Sequence, residues 1–134
     1  DFAPFKALND MAMGMTAHIV FADIDPDNPA TTSPKMMKVI REDIGFDGLI
    51  MSDDISMQAL SGTIGERAAA SIAAGCDIAL HCNGDPAEMA VVARAAGDMT
   101  AQATIRATRA LAQRKTPEKI DIAGLIADLE ALLA

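Results

Sequence analysis

Apolar and polar positions along the chain alternate between two textures. Three short apolar runs, at 12–18 (AMGMTAH), 48–53 (GLIMSD) and 77–82 (DIALHC), are too brief for helices and end in polar or turn-forming residues. Each reads as a buried strand of a parallel sheet. The segments between them carry helical spacing. Phe2, Phe5 and Leu8 recur every third residue and read as the end of a helix. Ser33 and Pro34 predict an N-cap and first helical position for a helix through Met36, Met37, Val39, Ile40 and Ile44, with Gly45 as its stop. Ile64–Ala74 closed by Gly75, Pro86–Ala96 closed by Gly97, Ala101–Lys115 and Ile122–Leu133 complete the predicted helices. Residues 21–32 (FADIDPDNPATT) are dense in Asp, Asn and Pro and read as a loop. Strand then helix, three times over, predicts an α/β fold with parallel strands and right-handed crossovers. Three strands alone leave two open sheet edges and a thinly covered core.

The middle strand breaks the apolar pattern, running straight from Gly48–Met51 into Ser52, Asp53 and Asp54. Carboxylates beside a core are costly unless water, charge or chemistry receives them. In sheets of alternating strands and helices, ligands sit beyond the carboxyl ends of the strands. Strict alternation sends Asp53 and Asp54 to opposite faces, so they are a poor acid–base pair and have different tasks. The competing reading is that both cap the N-terminus of the following helix, where negative charge is favoured.

Other residues near the predicted strand ends extend the candidate site. His18 ends the first run and either lines the same mouth or is a hydrogen-bonded rim histidine. Arg67, in the helix after the acidic pair, is either a counter-ion for an Asp or part of a solvated helix face. Met57 follows the acidic loop and either fills the core or touches a ligand. Cys76 and Cys82 bracket the third strand, roughly 20 Å apart at a strand's rise, beyond disulfide reach, and read as small buried thiols. No metal-ligand spacing, phosphate-cradling glycine loop or nucleophile elbow occurs.

Composition narrows the partners. With 11 basic and 19 acidic residues in 134, the net charge of −8 argues against nucleic acid and anionic membranes. Aromatics make up only 3%, without Trp or Tyr, so aliphatics and the nine Met are expected to fill the core. No apolar run approaches a membrane span, the N-terminus lacks a signal-peptide layout, and a reducing cytoplasm is the expected location.

At Val39–Ser56, VIREDIGFDGLIMSDDIS, the pattern becomes specific. Two aliphatics precede Arg41 and Asp43; then come Gly48, three apolar residues, Ser52, Asp53, and Ser56 three positions on. This resembles the active-site signature of glycoside hydrolase family 3. DFAPFKAL, MTAHIVF, DPDNPAT, SDDISM, Glu66–Arg67 and AGCDIALHCNGD resemble the bacterial β-N-acetylhexosaminidases of that family, cytoplasmic enzymes of peptidoglycan recycling. The resemblance spans nearly the whole chain and weakens after about Gly97. It implies a TIM (β/α)8 barrel of which residues 1–134 form a C-terminal fragment of about three strand–helix units, the sixth to eighth. It implies a retaining hydrolase with Asp53 as nucleophile and Asp54 in support, acting on a saccharide containing terminal β-linked N-acetylglucosamine; Arg67 as a supporting residue, and Met57 and His18 toward the substrate, are candidates from their positions alone. No cofactor or metal is implied.

The family's acid/base, a His–Asp pair on a loop resembling GDT-x-x-DSH, has no counterpart here, nor has the KHFPGHG-like strand end that binds sugar hydroxyls. The fragment alone is therefore expected to be inactive, and to need either the N-terminal part of the barrel or other copies of the chain. Two alternatives stand beside this reading: a non-enzymatic α/β module holding Mg²⁺ through Asp53 and Asp54, and a fragment that only docks to complete a barrel.

Overall fold

The structure is a computed structural model describing all 134 residues. Three parallel strands, β1 (Met13–Met15), β2 (Leu49–Asp54) and β3 (Ile78–Leu80), lie in the order β1-β2-β3. Around them run α1 (Ala3–Lys6), α2 (Pro34–Lys38), α3 (Ile64–Ala74), α4 (Pro86–Ala96), α5 (Ala101–Ala112) and α6 (Ile122–Leu133). The expected α/β order holds. No helix is long and apolar enough to cross a membrane.

Local chemistry sets most helix ends. The Ser33 hydroxyl accepts from the Met36 amide at 3.1 Å and starts α2 at Pro34. Thr63 and Glu66 form a reciprocal capping box at the start of α3, and Gly75, at φ +121°, ends it in a conformation that strains residues with a Cβ. The helix expected through Ile44 departs from the α form midway. After Lys38 it widens into a π turn over Val39–Asp43, with the Ile44 amide bonded to the Val39 carbonyl at 2.9 Å. The first helix is likewise a single turn rather than a run to Asn9.

The first strand is shorter than its apolar run. After the Thr16 amide bonds the Met51 carbonyl at 2.9 Å, the chain leaves the sheet, and Ile19 instead accepts from the Ala30 amide at 2.8 Å. Thr16 and His18 are drawn off by side-chain bonds to Thr31, described below. β3 is also trimmed, because Asp77 turns its carboxylate back to the Ile50 amide at 2.8 Å.

One sheet face is covered. Gly14 and Ile50 are register partners on it. A Cβ on Gly14 would stand 3.0 Å from Phe46, and Ile50 packs with Met37, Ile44, Phe46, Ala74 and Cys76. A second cluster of Ile55, Leu60, Ala68 and Val92 lies under α3 and α4. The other face is open over β1 but not over β2, where Leu49, the register partner of Met13, is buried. Met13 and Met15 lie on it, 47% and 56% exposed, so they are not the core filler that composition suggested; of the nine Met, only Met36 and Met37 are buried. The outer edge of β1 is unpaired. An apolar cleft of about 350 Å³, lined by Phe2, Phe5, Leu8, Met13, Ile19 and Phe46 among others, opens beside it.

The amino ends of β2 and β3 are locked by charge. Arg41 donates to the Phe46 and Gly48 carbonyls at 2.9 and 2.7 Å and to Asp77 at 2.7 Å. Arg106 of α5 bridges Asp77 and Asp47, both at 3.0 Å, and Arg109 adds a 2.9 Å bond to Asp47. Burial, with the neighbouring Arg106 charge, holds the Arg41 pKa below its usual range against the pull of Asp77. On Arg106 burial also opposes charge, but the bonds to Asp47 and Asp77 outweigh it and raise the pKa. These pairs fasten α5 to the sheet. α6 has no such anchor, and its Ile122, Leu125, Ile126, Leu129, Leu132 and Leu133 are all exposed.

Candidate functional site

The carboxyl end of β2 carries an irregularity. Met51 pairs with Ile78, but Asp54 pairs with Leu80, so Ser52 and Asp53 together oppose Ala79. This is a β-bulge, a device that re-aims side chains where it occurs. Ser52, fully buried, repairs the ladder: its hydroxyl accepts the Leu80 amide at 2.8 Å, where a backbone carbonyl would ordinarily stand. The bulge interrupts strict alternation at residues 52–54, so alternation alone does not assign the two carboxylates to opposite faces.

Hydrogen bonding nonetheless separates the two carboxylates. Asp54 is saturated. Its Oδ1 accepts the Ser56 amide at 3.0 Å and the Cys82 amide at 3.2 Å, and its Oδ2 accepts the Ser56 hydroxyl at 2.5 Å. Burial raises the Asp54 pKa, but these donors outweigh it, and the carboxyl sits below the usual range. Asp53 is half-buried and spends only Oδ1, accepting the Asp54 amide at 2.8 Å; its Oδ2 has no protein donor. Asp54 thus ties β2 to the end of β3 and to the following loop, while Asp53 keeps one oxygen available to a ligand.

Neither carboxylate caps the following helix, because Thr63 and Glu66 do so. The Mg²⁺ alternative also loses its basis. Asp54 is committed to protein donors, so of the pair Asp53 alone has an oxygen free of them.

Arg67 is not a counter-ion for either Asp. Its guanidinium donates to the carbonyls of Ile55 (3.1 Å), Met57 (3.1 Å) and Gly62 (3.0 Å), with a longer bond to Ser56. The β2–α3 loop offers several carbonyls within one guanidinium's reach, so Arg67 shapes that loop. Met57 sits on it with 44% of its surface exposed. His18 is placed at the site, but both ring nitrogens are engaged: Nδ1 lies 2.7 Å from the Thr31 hydroxyl and Nε2 lies 2.9 Å from the Asp54 carbonyl.

The two cysteines differ. Cys76 is buried, and burial pushes its thiol up to about 12. Cys82 is exposed at the end of β3, contrary to the expectation of two buried thiols. His81 follows directly after β3. Its side chain is 5% exposed, neither ring nitrogen is hydrogen-bonded, and Nε2 stands 3.4 Å from a Glu88 oxygen.

Parallel strands with crossover helices, charge-locked at their amino ends and presenting a carboxylate at their carboxyl ends, define a barrel-type α/β unit with one wall of a polar site. The chain belongs to glycoside hydrolase family 3: residues 1–114 match the Glycosyl hydrolase family 3 N terminal domain. It is 34% identical over 113 residues to a beta-hexosaminidase of Thiobacillus denitrificans, covering 81% of this chain and 32% of that protein. With a beta-hexosaminidase of Neisseria meningitidis serogroup B it shares 41% over 87 residues, covering 62% of this chain and 24% of the relative. The beta-N-acetylglucosaminidase structure from Thermotoga maritima superposes with a TM-score of 0.68 at 27% identity, over 94% of this chain and 30% of that one. A family 3 beta-N-acetylglucosaminidase from a Paenibacillus species gives 0.69 at 24% identity, over 90% and 26%. The chain thus spans between a quarter and a third of the length of these relatives.

Proposed function

We propose that this chain is the C-terminal part of a single barrel domain and supplies the nucleophile side of a retaining β-N-acetylhexosaminidase acting on terminal β-linked N-acetylglucosamine. One observation carries the reading. Of two adjacent carboxylates at the carboxyl end of the middle strand, only Asp53 keeps an oxygen free of protein donors. In the reaction, Asp53 Oδ2 bonds to the anomeric carbon as the bond from that carbon to the aglycone oxygen breaks. The aglycone leaves with a proton from an acid outside this chain. Water then attacks the same carbon, giving a proton back to that outside group, now acting as base, as the ester bond breaks and the Asp53 carboxylate is restored. Asp54 and Arg67 support by fixing the strand end and loop, and Met57 offers apolar surface to the saccharide. Retaining sites place two acting groups about 5 Å apart across the scissile bond, and this chain contributes one of them. The partner is the N-terminal portion of the barrel, seated on the open β1 edge and its apolar cleft. A cytoplasmic reaction in peptidoglycan recycling is part of this reading, supported by the resemblance of the sequence to enzymes of that kind.

A chromogenic β-N-acetylglucosaminide tests this with three preparations. The chain alone is expected to show no appreciable turnover. Co-expressed with the N-terminal portion of the Thiobacillus barrel, it is expected to turn over substrate, and Asp53→Asn in that pair is expected to abolish the activity. Robust turnover by the chain alone, lost on Asp53→Asn, defeats the half-site reading. Turnover of the pair that survives Asp53→Asn defeats the assignment of the nucleophile.

A further inference from the structure

We propose that His18 is a positioning residue that holds the β2 bulge in shape as one fixed tautomer, in partnership with Ser52. This rests on the reading of Asp53 above and adds how its backbone is held. A bulge leaves ladder groups without backbone partners on both sides of the strand. Toward β3, the unmatched donor is the Leu80 amide, and the Ser52 hydroxyl accepts it. Toward β1, the chain has left the sheet after Thr16, so no β1 amide reaches the Asp54 carbonyl. That oxygen accepts the Met57 amide at 3.1 Å from the turn that follows, and His18 Nε2, 2.9 Å away, fills its second acceptor position on the side where a β1 amide would otherwise stand. The peptide joining Asp54 to Ile55 is then clamped from both sides, because the Ile55 amide donates to the Leu80 carbonyl at 2.9 Å. The preceding peptide presents the Asp54 amide to Asp53 Oδ1, so the clamp governs where the Asp53 carboxylate can sit.

The hydrogen-bond directions follow from one end. A backbone carbonyl only accepts, so Nε2 carries the proton. In the neutral ring Nδ1 then accepts, and the Thr31 hydroxyl, 2.7 Å away, must donate. Thr31 in turn accepts from the Thr16 hydroxyl at 2.8 Å. Thr16 and Thr31 are 7% and 0% exposed, so no solvent competes for these bonds. The motif surrounding His18 therefore assembles a dry relay of two hydroxyls and one imidazole, ending on the strand that bears Asp53. A ring with both nitrogens used inside the protein is not a sugar ligand, which changes the role expected for His18 from its position.

The test uses the full chain and nitrogen-resolved NMR of the ring, with hydrogen exchange and shifts of the Asp54 and Ile55 amides and a parallel urea titration. At neutral pH the ring is expected as the Nε2–H tautomer. In His18→Ala the Ile55 amide is expected to exchange faster by about three- to tenfold, the equivalent of one net hydrogen bond, and the Asp54 amide resonance to move. His18→Gln, whose amide N–H reaches the position of Nε2, is expected to restore both while remaining unable to titrate. The Nδ1–H tautomer, unchanged amides in His18→Ala, or a Gln variant as perturbed as the Ala variant would each overturn the proposal. Should His18→Ala fail to fold, the tautomer and the Gln variant still decide. None of these readouts needs turnover, so they can fail while Asp53 remains the nucleophile, and hold if it is not.

Discussion

Asp77 is the residue on which the amino end of the sheet turns, and its removal is the most demanding test of the fold. Its carboxylate, 5% exposed, accepts from Arg41 at 2.7 Å, from Arg106 at 3.0 Å and from the Ile50 amide at 2.8 Å. In Asp77→Ala the Ile50 amide loses its acceptor, and two guanidiniums 19% and 15% exposed face each other with their shared counter-charge gone. Breaking a buried pair by removing one partner costs about 3–5 kcal/mol. Arg41 keeps its bonds to the Phe46 and Gly48 carbonyls and Arg106 keeps Asp47, which puts the expected loss at the low end, about 3 kcal/mol. In urea, with a slope of roughly 1–3 kcal/mol per M, this lowers the unfolding midpoint by about 1–3 M at unchanged slope. Asp77→Asn keeps the shape and an acceptor for Ile50, and should fall between wild type and Ala. Asp47→Asn, on the exposed side of the same network, should cost less than about 1 kcal/mol. An Asp77→Ala midpoint indistinguishable from that of Asp47→Asn would refute the reasoning, because the deep and shallow halves of the network would then be equivalent.

Two further outcomes follow from individual groups. Ser52→Ala strands the buried Leu80 amide and should destabilise the chain by about 1–3 kcal/mol in the same titration, with the largest amide shifts at Asp54 and Leu80. Asp25 lies buried against Ser33 at 2.6 Å, a bond that, with Asn28 and Lys35, outweighs desolvation and holds its carboxyl below the usual range. A depressed carboxyl contributes stability that is fully present above the ordinary Asp pKa of about 3.9 and is lost as pH falls through the lower folded value. Stability plotted against pH should therefore drop on the acid side, and Asp25→Asn should flatten that drop while lowering stability at neutral pH.

The strands and helices were legible where local signals coincide. Pro34 after Ser33, Thr63 with Glu66, and Gly75 after an Ala-rich run each combine a cap or stop with apolar periodicity, and each marks a real boundary. Asp53 stood out in the sequence because charge at the end of an apolar strand is costly enough to require a reason. The roles of its neighbours did not. The bulge depends on the Ser52 hydroxyl meeting a residue 28 positions away, and the His18 clamp on a carbonyl 36 positions away. Neither leaves a periodic trace. Arg67 was left between counter-ion and solvated helix face, because nothing in its spacing shows that the carbonyls of the preceding loop lie within reach of its guanidinium. The Met residues misled for another reason: an apolar side chain does not say which face of a sheet is covered.

The contrast between the two thiols gives the protein a built-in reporter. Cys76 is buried, and burial pushes its thiol up and away from the thiolate, the form that reacts with alkylating labels. Cys82 is exposed, and its own amide is one of the donors that hold Asp54. A maleimide dye or spin label applied to the unmodified chain should therefore settle at a single place, on the rim of the candidate site. From there it can sense the arrival of the rest of the barrel or of a saccharide without a single engineered residue.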